Sequence, residues 1–205
     1  MFVIVGLTML AYGLIHSWLA STTVKQFIQR LMGERRYFGL YRAIYNVLAI
    51  VTLSPILGLV IFRPGNILWQ VTGFSQVVLL LIQLIGLVGM MVSLFQINLG
   101  QFIGLSQMIA YFNGQQLPLP LESLQFGGVY RLVRHPLYLF SLMMIWPIGM
   151  MSESLLVFNI CSTLYFVFGS ILEERKLATT YGELYRDYQG RTPSIVPFSK
   201  RFREL

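Results

Sequence analysis

Tyr130-Arg131-Leu132-Val133-Arg134-His135-Pro136-Leu137-Tyr138 places two guanidinium groups, an imidazole and two phenols in one short stretch of a chain that is only 11% charged. Pro136 indicates how they are presented. Proline suits the first turn of a helix and pushes the residue before it towards extended angles, so His135 stands at a helix entrance. Free N–H groups and the positive dipole end favour an anion there, and the Arg134 fork can grip a carboxylate or a phosphate. Basic residues at the end of a membrane helix also serve as topology and head-group anchors, and spacing alone allows either role. Glu173 and Glu174 end an apolar hairpin that Pro136 begins, so folding it returns two carboxylates to Arg134 and His135. Acids at a helix C-terminus oppose the dipole, which favours a functional reason, while pairing with Arg175 or Lys176 in solvent also accounts for them. His16, near the end of the first apolar run, faces either an acceptor molecule or a carbonyl or Tyr41.

The elements that must position these groups are membrane helices. With 205 residues and 56% of them hydrophobic, and a mean hydropathy of +0.67, the chain is too apolar for a soluble domain and long enough for one bundle. A net charge of +7 finds its counter-charge in anionic lipid head groups; no basic patch interleaved with stacking aromatics suggests nucleic acid. The lone Cys161 lies in an apolar run, and two distant His form no ligand cluster, so neither a disulfide framework nor a metal site is expected. Met1-Phe2-Val3 lacks a basic n-region, so the first apolar run is expected to stay as a helix.

Met1 to Leu19 reads as the first span, Tyr41 to Phe62 as the second, broken near Pro55, and Phe74 to Ile97 as the third, with Gly86 and Gly89 permitting close helix approach. Between the first two, Val24, Phe27, Ile28 and Leu31 recur at helical spacing among Lys25, Arg30, Arg35 and Arg36, the pattern of an interfacial amphipathic helix. Asn98 to Gly128 reads as a short helix followed by irregular chain. Pro136 to Met151 and Ser154 to Leu172 form a helical hairpin whose first arm is short for a bilayer. The expectation is an all-α, polytopic membrane bundle of about five transmembrane helices in a single domain, 1–205. Three spans occupy 1–97; a loop, the hairpin and a cytoplasmic C-terminal tail occupy 98–205. This topology puts every Lys and Arg except Arg63 on one face, with Lys200, Arg201 and Arg203 of the tail among them, and the positive-inside rule makes that face cytoplasmic.

Arg134-His135-Pro136-Leu137-Tyr138, preceded by Gly128 and Tyr130 and followed by Glu173-Glu174, Tyr181-Gly182, Tyr185, Tyr188 and Pro197, resembles the isoprenylcysteine carboxyl methyltransferase and phospholipid methyltransferase superfamily. His16-Ser17, Ala20-Ser21, Lys25, Tyr41-Arg42 and Tyr45-Asn46 resemble its NnrU-type and methanethiol S-methyltransferase-like members. The resemblance implies an enzyme of the bacterial inner membrane that binds S-adenosylmethionine on the cytoplasmic side and methylates a small or lipophilic acceptor, a thiol among the candidates, without a metal. It implies Arg134, Glu173 and Glu174 as catalytic candidates. Tyr130, Arg134, His135, Tyr138, Glu173, Glu174, Tyr185 and Tyr188 are the implied cofactor-binding set. A carboxylate or ammonium on the cofactor suits Arg134 or the glutamates, and the tyrosines offer aromatic faces near a cation. A non-enzymatic NnrU-type accessory protein and a sterol-reductase-like reductase are the other readings. Related proteins usually carry Gly two residues after Tyr138, where this chain has Phe140.

Overall fold

The computed structural model describes residues 2–199. Met1 of the first span, and Lys200, Arg201 and Arg203 of the charge asymmetry, lie outside the described residues. In chain order the elements are α1 (Phe2–Leu19), α2 (Thr22–Met32), α3 (Glu34–Phe62), β1 (Ile67–Gln70), α4 (Phe74–Phe95), α5 (Leu99–Ile103), α6 (Leu105–Phe112), a one-turn 3-10 helix (Gly128–Arg131), α7 (Pro136–Ile145), β2 (Met150–Ser152), α8 (Glu153–Tyr181) and α9 (Glu183–Arg191). Four of them, α1, α3, α4 and α8, are long and apolar enough to cross a membrane. The mostly helical expectation holds, with a two-stranded antiparallel pair, β1 with β2, that an all-α reading omits.

The chain divides into two compact units, each drawn from two stretches: the chain up to Gly65 with Asn98–Ser123, and Asn66–Ile97 with Leu124 onward. The third apolar span therefore groups with the hairpin and tail, not with the two spans before it. In the first unit Ser21 caps α2, accepting a hydrogen bond from the Val24 N–H at 3.4 Å. Gly33, with φ +79°, lets α3 begin directly after α2. Pro55 lies inside α3 without ending it, so the expected break is absent. The polar side chains of α3 reach sideways to pin α5 and α6: Arg42 Nε donates to the Phe102 carbonyl at 2.8 Å, Asn46 Nδ2 to Ile103 at 2.9 Å, and Arg35 Nη2 to Tyr111 at 3.1 Å.

In the second unit α4 packs along α7, and small residues make that possible. A Cβ at Gly86 would stand 3.0 Å from the Phe140 carbonyl, and one at Gly89 would collide with the Phe140 ring. Phe140 is thus accommodated by a notch in α4. The first arm of the hairpin is shorter than its apolar run. α7 stops at Ile145, whose carbonyl accepts a 2.6 Å hydrogen bond from Asn159, and Met150–Ser152 leave the helix to pair with β1. Ten helical residues rise about 15 Å, half of a hydrocarbon core of roughly 30 Å. Ser152 then caps α8 through the Leu155 N–H at 3.3 Å. The second arm is longer than its apolar run: α8 continues past Leu172 to Tyr181 and ends at Gly182, φ +57°. Glu173 and Glu174 are therefore two turns short of the helix end, and the dipole penalty expected for them at a C-terminus does not apply.

Candidate active site

Four segments of the second unit supply one cluster. Pro136 starts α7 and holds His135 just outside it, at φ −119°, ψ 65°. Arg134 and His135 are turned towards α8, where Glu173 and Glu174 wait one helix across. Arg134 Nε donates to Glu174 Oε1 at 3.0 Å, and Nη2 donates to both carboxylate oxygens, at 2.6 and 2.7 Å. His135 Nε2 donates to Glu174 Oε1 at 3.0 Å, and its Nδ1 lies 3.6 Å from Glu173 Oε2. Tyr138, one turn into α7, donates its hydroxyl proton to Glu173 Oε2 at 2.8 Å.

α9 and the chain after it close the cluster. Gln189 Nε2 donates to Glu174 Oε2 at 3.0 Å and the Ser194 hydroxyl to Oε1 at 2.8 Å. Arg134 Nη1 donates to the carbonyls of Gln189 and Thr192. The Arg134 and His135 N–H groups donate to the carbonyls of Pro193 and Ser194, at 2.8 and 3.0 Å. Gln189, Thr192 and Ser194 are members of the cluster that the sequence did not point to. Three of their five contacts with the cluster are made by carbonyls, which leave no signature in residue type.

This arrangement corrects two expectations. The Arg134 fork does not face outward for a ligand carboxylate; each of its nitrogens is engaged inside the protein, and the Arg134 and Glu174 side chains are only 11% and 14% exposed. The two N–H groups just before the helix are likewise spent, on the carbonyls of Pro193 and Ser194, and the first-turn N–H of Tyr138 is spent on the His135 carbonyl. Arg134 and Glu174 form a charge-assisted keystone joining α7, α8 and α9. Glu173 differs from its neighbour. Its side chain is 48% exposed, and it retains acceptor capacity beyond the Tyr138 bond.

Aromatic rings surround these groups. His135 stacks on Tyr138 with centroids 5.2 Å apart, and Tyr138 on Phe166 at 5.1 Å. Tyr188 meets Phe126 edge to face at 4.9 Å and donates its hydroxyl proton to the Tyr130 carbonyl at 2.5 Å. Tyr185 is 1% exposed, and its hydroxyl has no hydrogen-bond partner among the described residues. Burial, and then the negative charge of Glu174, push that hydroxyl above a tyrosine's ordinary value. Burial does the same at Tyr188, against the opposing charge of Arg134. Both remain neutral donors across the physiological range. Tyr188 and Thr192 also line a cleft of about 450 Å³ that Phe126, Arg131, Leu184, Asp187 and Arg191 complete. All eight residues singled out from sequence thus lie in this one unit. Among the described residues no group of His, Cys, Asp and Glu could hold a metal.

His16 belongs to the other unit. Its Nε2 lies 2.6 Å from the Tyr45 hydroxyl and its ring stacks against Tyr12. Tyr41, one of the alternatives the sequence left open for His16, donates instead to the Leu19 carbonyl at 2.6 Å.

Residues 77–184, more than half of the chain, match the phospholipid methyltransferase family, and the chain belongs to that family of membrane methyltransferases. A methanethiol S-methyltransferase of Crocosphaera subtropica is 31% identical over 191 residues, which cover 91% of this chain and 71% of the relative. One from Mycobacterium tuberculosis is 28% identical, covering 97% and 80%, and one from Pseudomonas deceptionensis reaches 40% over 73 residues, 36% of this chain and 28% of the relative. No solved structure matches the chain. Membership makes it a methyltransferase.

Proposed function

We propose that this chain transfers the methyl group of S-adenosylmethionine to a small thiol, at a site on the cytoplasmic side of a bacterial inner membrane. The observation that carries the reading is the convergence of Arg134, His135, Tyr138, Glu173, Glu174, Tyr185 and Tyr188 in one cluster. The thiol comes from the names of the relatives, and the cytoplasmic side from the one-sided distribution of Lys and Arg.

The residues fit the cofactor. When bound, S-adenosylmethionine would supply an electrophilic methyl group on its sulfonium; the acceptor thiol, its proton lost to solvent, would take that methyl and S-adenosylhomocysteine would leave. Glu173, half-exposed and held by Tyr138, offers a carboxylate oxygen to an ammonium or to ribose hydroxyls. The Tyr185 hydroxyl is an unspent donor beside Glu174, and a buried donor without a partner is costly unless a ligand or water meets it. The cleft beside Tyr188 has a volume within the range of small-molecule sites. Arg134 and Glu174 position the others through one another. Tyr138, Phe166 and the apolar faces of α7 and α8 exclude water, so orientation and a dry surrounding are the protein's main contribution to in-line transfer. We place α7 and the extended chain after it as a fifth crossing, the helix itself covering only about half of the bilayer core.

Calorimetry with S-adenosylhomocysteine tests the donor site, and headspace detection of dimethyl sulfide from methanethiol tests the acceptor. Binding is expected for the wild type and is expected to weaken in Glu173→Ala. Absence of S-adenosylhomocysteine binding by folded protein, or binding of NADPH in its place, overturns the reading. A protein that binds S-adenosylhomocysteine but methylates no thiol retains the donor site and loses the acceptor.

A further inference from the structure

The connector between α1 and α3 presents a surface that methyl transfer does not use. Along α2, Val24 is buried and Ile28 half-buried against neighbouring helices of the same unit, while Phe27 and Leu31, four residues apart on one flank, are 65% and 75% exposed. Arg30, on α2, and Arg36, in the first turn of α3, are exposed, Lys25 adds charge, and Glu34 is the single acid between Thr22 and Arg36. Arg35, also exposed, donates to the carbonyls of Tyr111 and Gln115.

Geometry fixes where this surface lies. α2 is separated from α1 by two residues and from α3 by Gly33 alone, and it packs against both. Both neighbours are long and apolar enough to cross a membrane. A short helix tied between the adjoining ends of two such helices runs along the bilayer surface. An apolar flank bordered by cations is the form suited to that depth, with Phe27 and Leu31 among acyl chains and the guanidinium groups at head-group level.

We propose that α2 is a clamp for anionic phospholipid, Arg30 and Arg36 holding lipid phosphates while Phe27 and Leu31 insert between the chains. Attraction of a polybasic surface to acidic lipid is additive over its cations and screened by salt. The clamp is independent of the identity of the methyl acceptor.

The test is amide hydrogen exchange of the full chain in nanodiscs of phosphatidylcholine alone or doped with phosphatidylglycerol. Exchange across α2 is expected to slow roughly tenfold in the acidic discs. The same step should disappear in Arg30→Gln/Arg36→Gln and at high salt, with S-adenosylhomocysteine binding unchanged in that variant. Phe27→Ser/Leu31→Ser should speed exchange in both lipids. Equal protection of α2 in neutral and acidic discs overturns the proposal, as does an acidic-lipid step that survives loss of both arginines. Protection that falls on dilution of the protein at fixed lipid also overturns it, because a second copy of the chain is then the occupant.

Discussion

Arg134 and Glu174 are each held by several partners, and this sets what their loss does. Removing either leaves the other charged, largely buried and short of hydrogen bonds, a situation that costs about 3–5 kcal/mol. Arg134→Ala and Glu174→Ala should each lower thermal stability strongly, and the double variant should cost much less than the sum of the two. A melting series of the four proteins checks this. Glu173→Gln is expected to leave melting within about 0.5 kcal/mol of wild type and to weaken S-adenosylhomocysteine binding roughly tenfold, the loss of one charge-assisted contact. Tyr185 adds a pH dependence. Its raised value means that the folded protein holds the phenolic proton more tightly than the unfolded chain does. That contribution is fully present below about pH 10, the unfolded value, and is lost as pH rises towards the folded one. Stability in denaturant titrations should therefore fall above that pH, and less steeply in Tyr185→Phe.

At the level of elements, α4 and α7 pack closely, and their approach rests on a missing side chain. Gly89→Ala would force a methyl group into the Phe140 ring, an overpacking that costs about 1–3 kcal/mol. A methyl group added to Gly58, in α3, would meet nothing within 4 Å, so Gly58→Ala should be neutral or slightly stabilising through helix propensity. Comparing the two melting temperatures separates packing from propensity, and adding Phe140→Leu to Gly89→Ala should recover part of the loss. Ser152→Ala removes the cap of α8 and should cost about 1 kcal/mol. Some of these elements were legible in the sequence and others were hidden. Glycines three apart announced close packing of the third span, and Pro136 announced where α7 starts. Where α7 ends was hidden, because Met150 and Met151 are as apolar as the helix before them and leave it only to pair with Trp69 and Gln70. The end of α8 was hidden for the converse reason. Its last turns are polar yet rich in residues that favour helix, so loss of hydrophobicity at Glu173 marked the end of an apolar surface and not of a helix.

Over the whole chain, the meeting of Arg134, His135 and the two glutamates was readable because a hairpin brings its two ends together whatever its packing. The direction in which those groups spend their hydrogen bonds was not readable, since it depends on where the backbone of residues 189–194 runs. Ligand linkage gives a global check. If the cluster binds the donor, S-adenosylhomocysteine at about a hundred times its Kd should stabilise the protein by about 2.7 kcal/mol, and in Glu174→Ala the same concentration should add far less. Differential scanning fluorimetry in detergent measures both. The carbonyls that Pro193 and Ser194 lend to Arg134 and His135 also bear on biosynthesis. A ribosome makes α7 and α8 before this strap, so a nascent chain first holds the arginine and both carboxylates without the carbonyls of residues 189–194 and the side chains of Gln189 and Ser194 that complete their hydrogen bonding. If the cluster is the donor site, a chain truncated before residue 189 is expected to insert and yet to bind S-adenosylhomocysteine far more weakly than the full chain, which calorimetry on the two proteins checks.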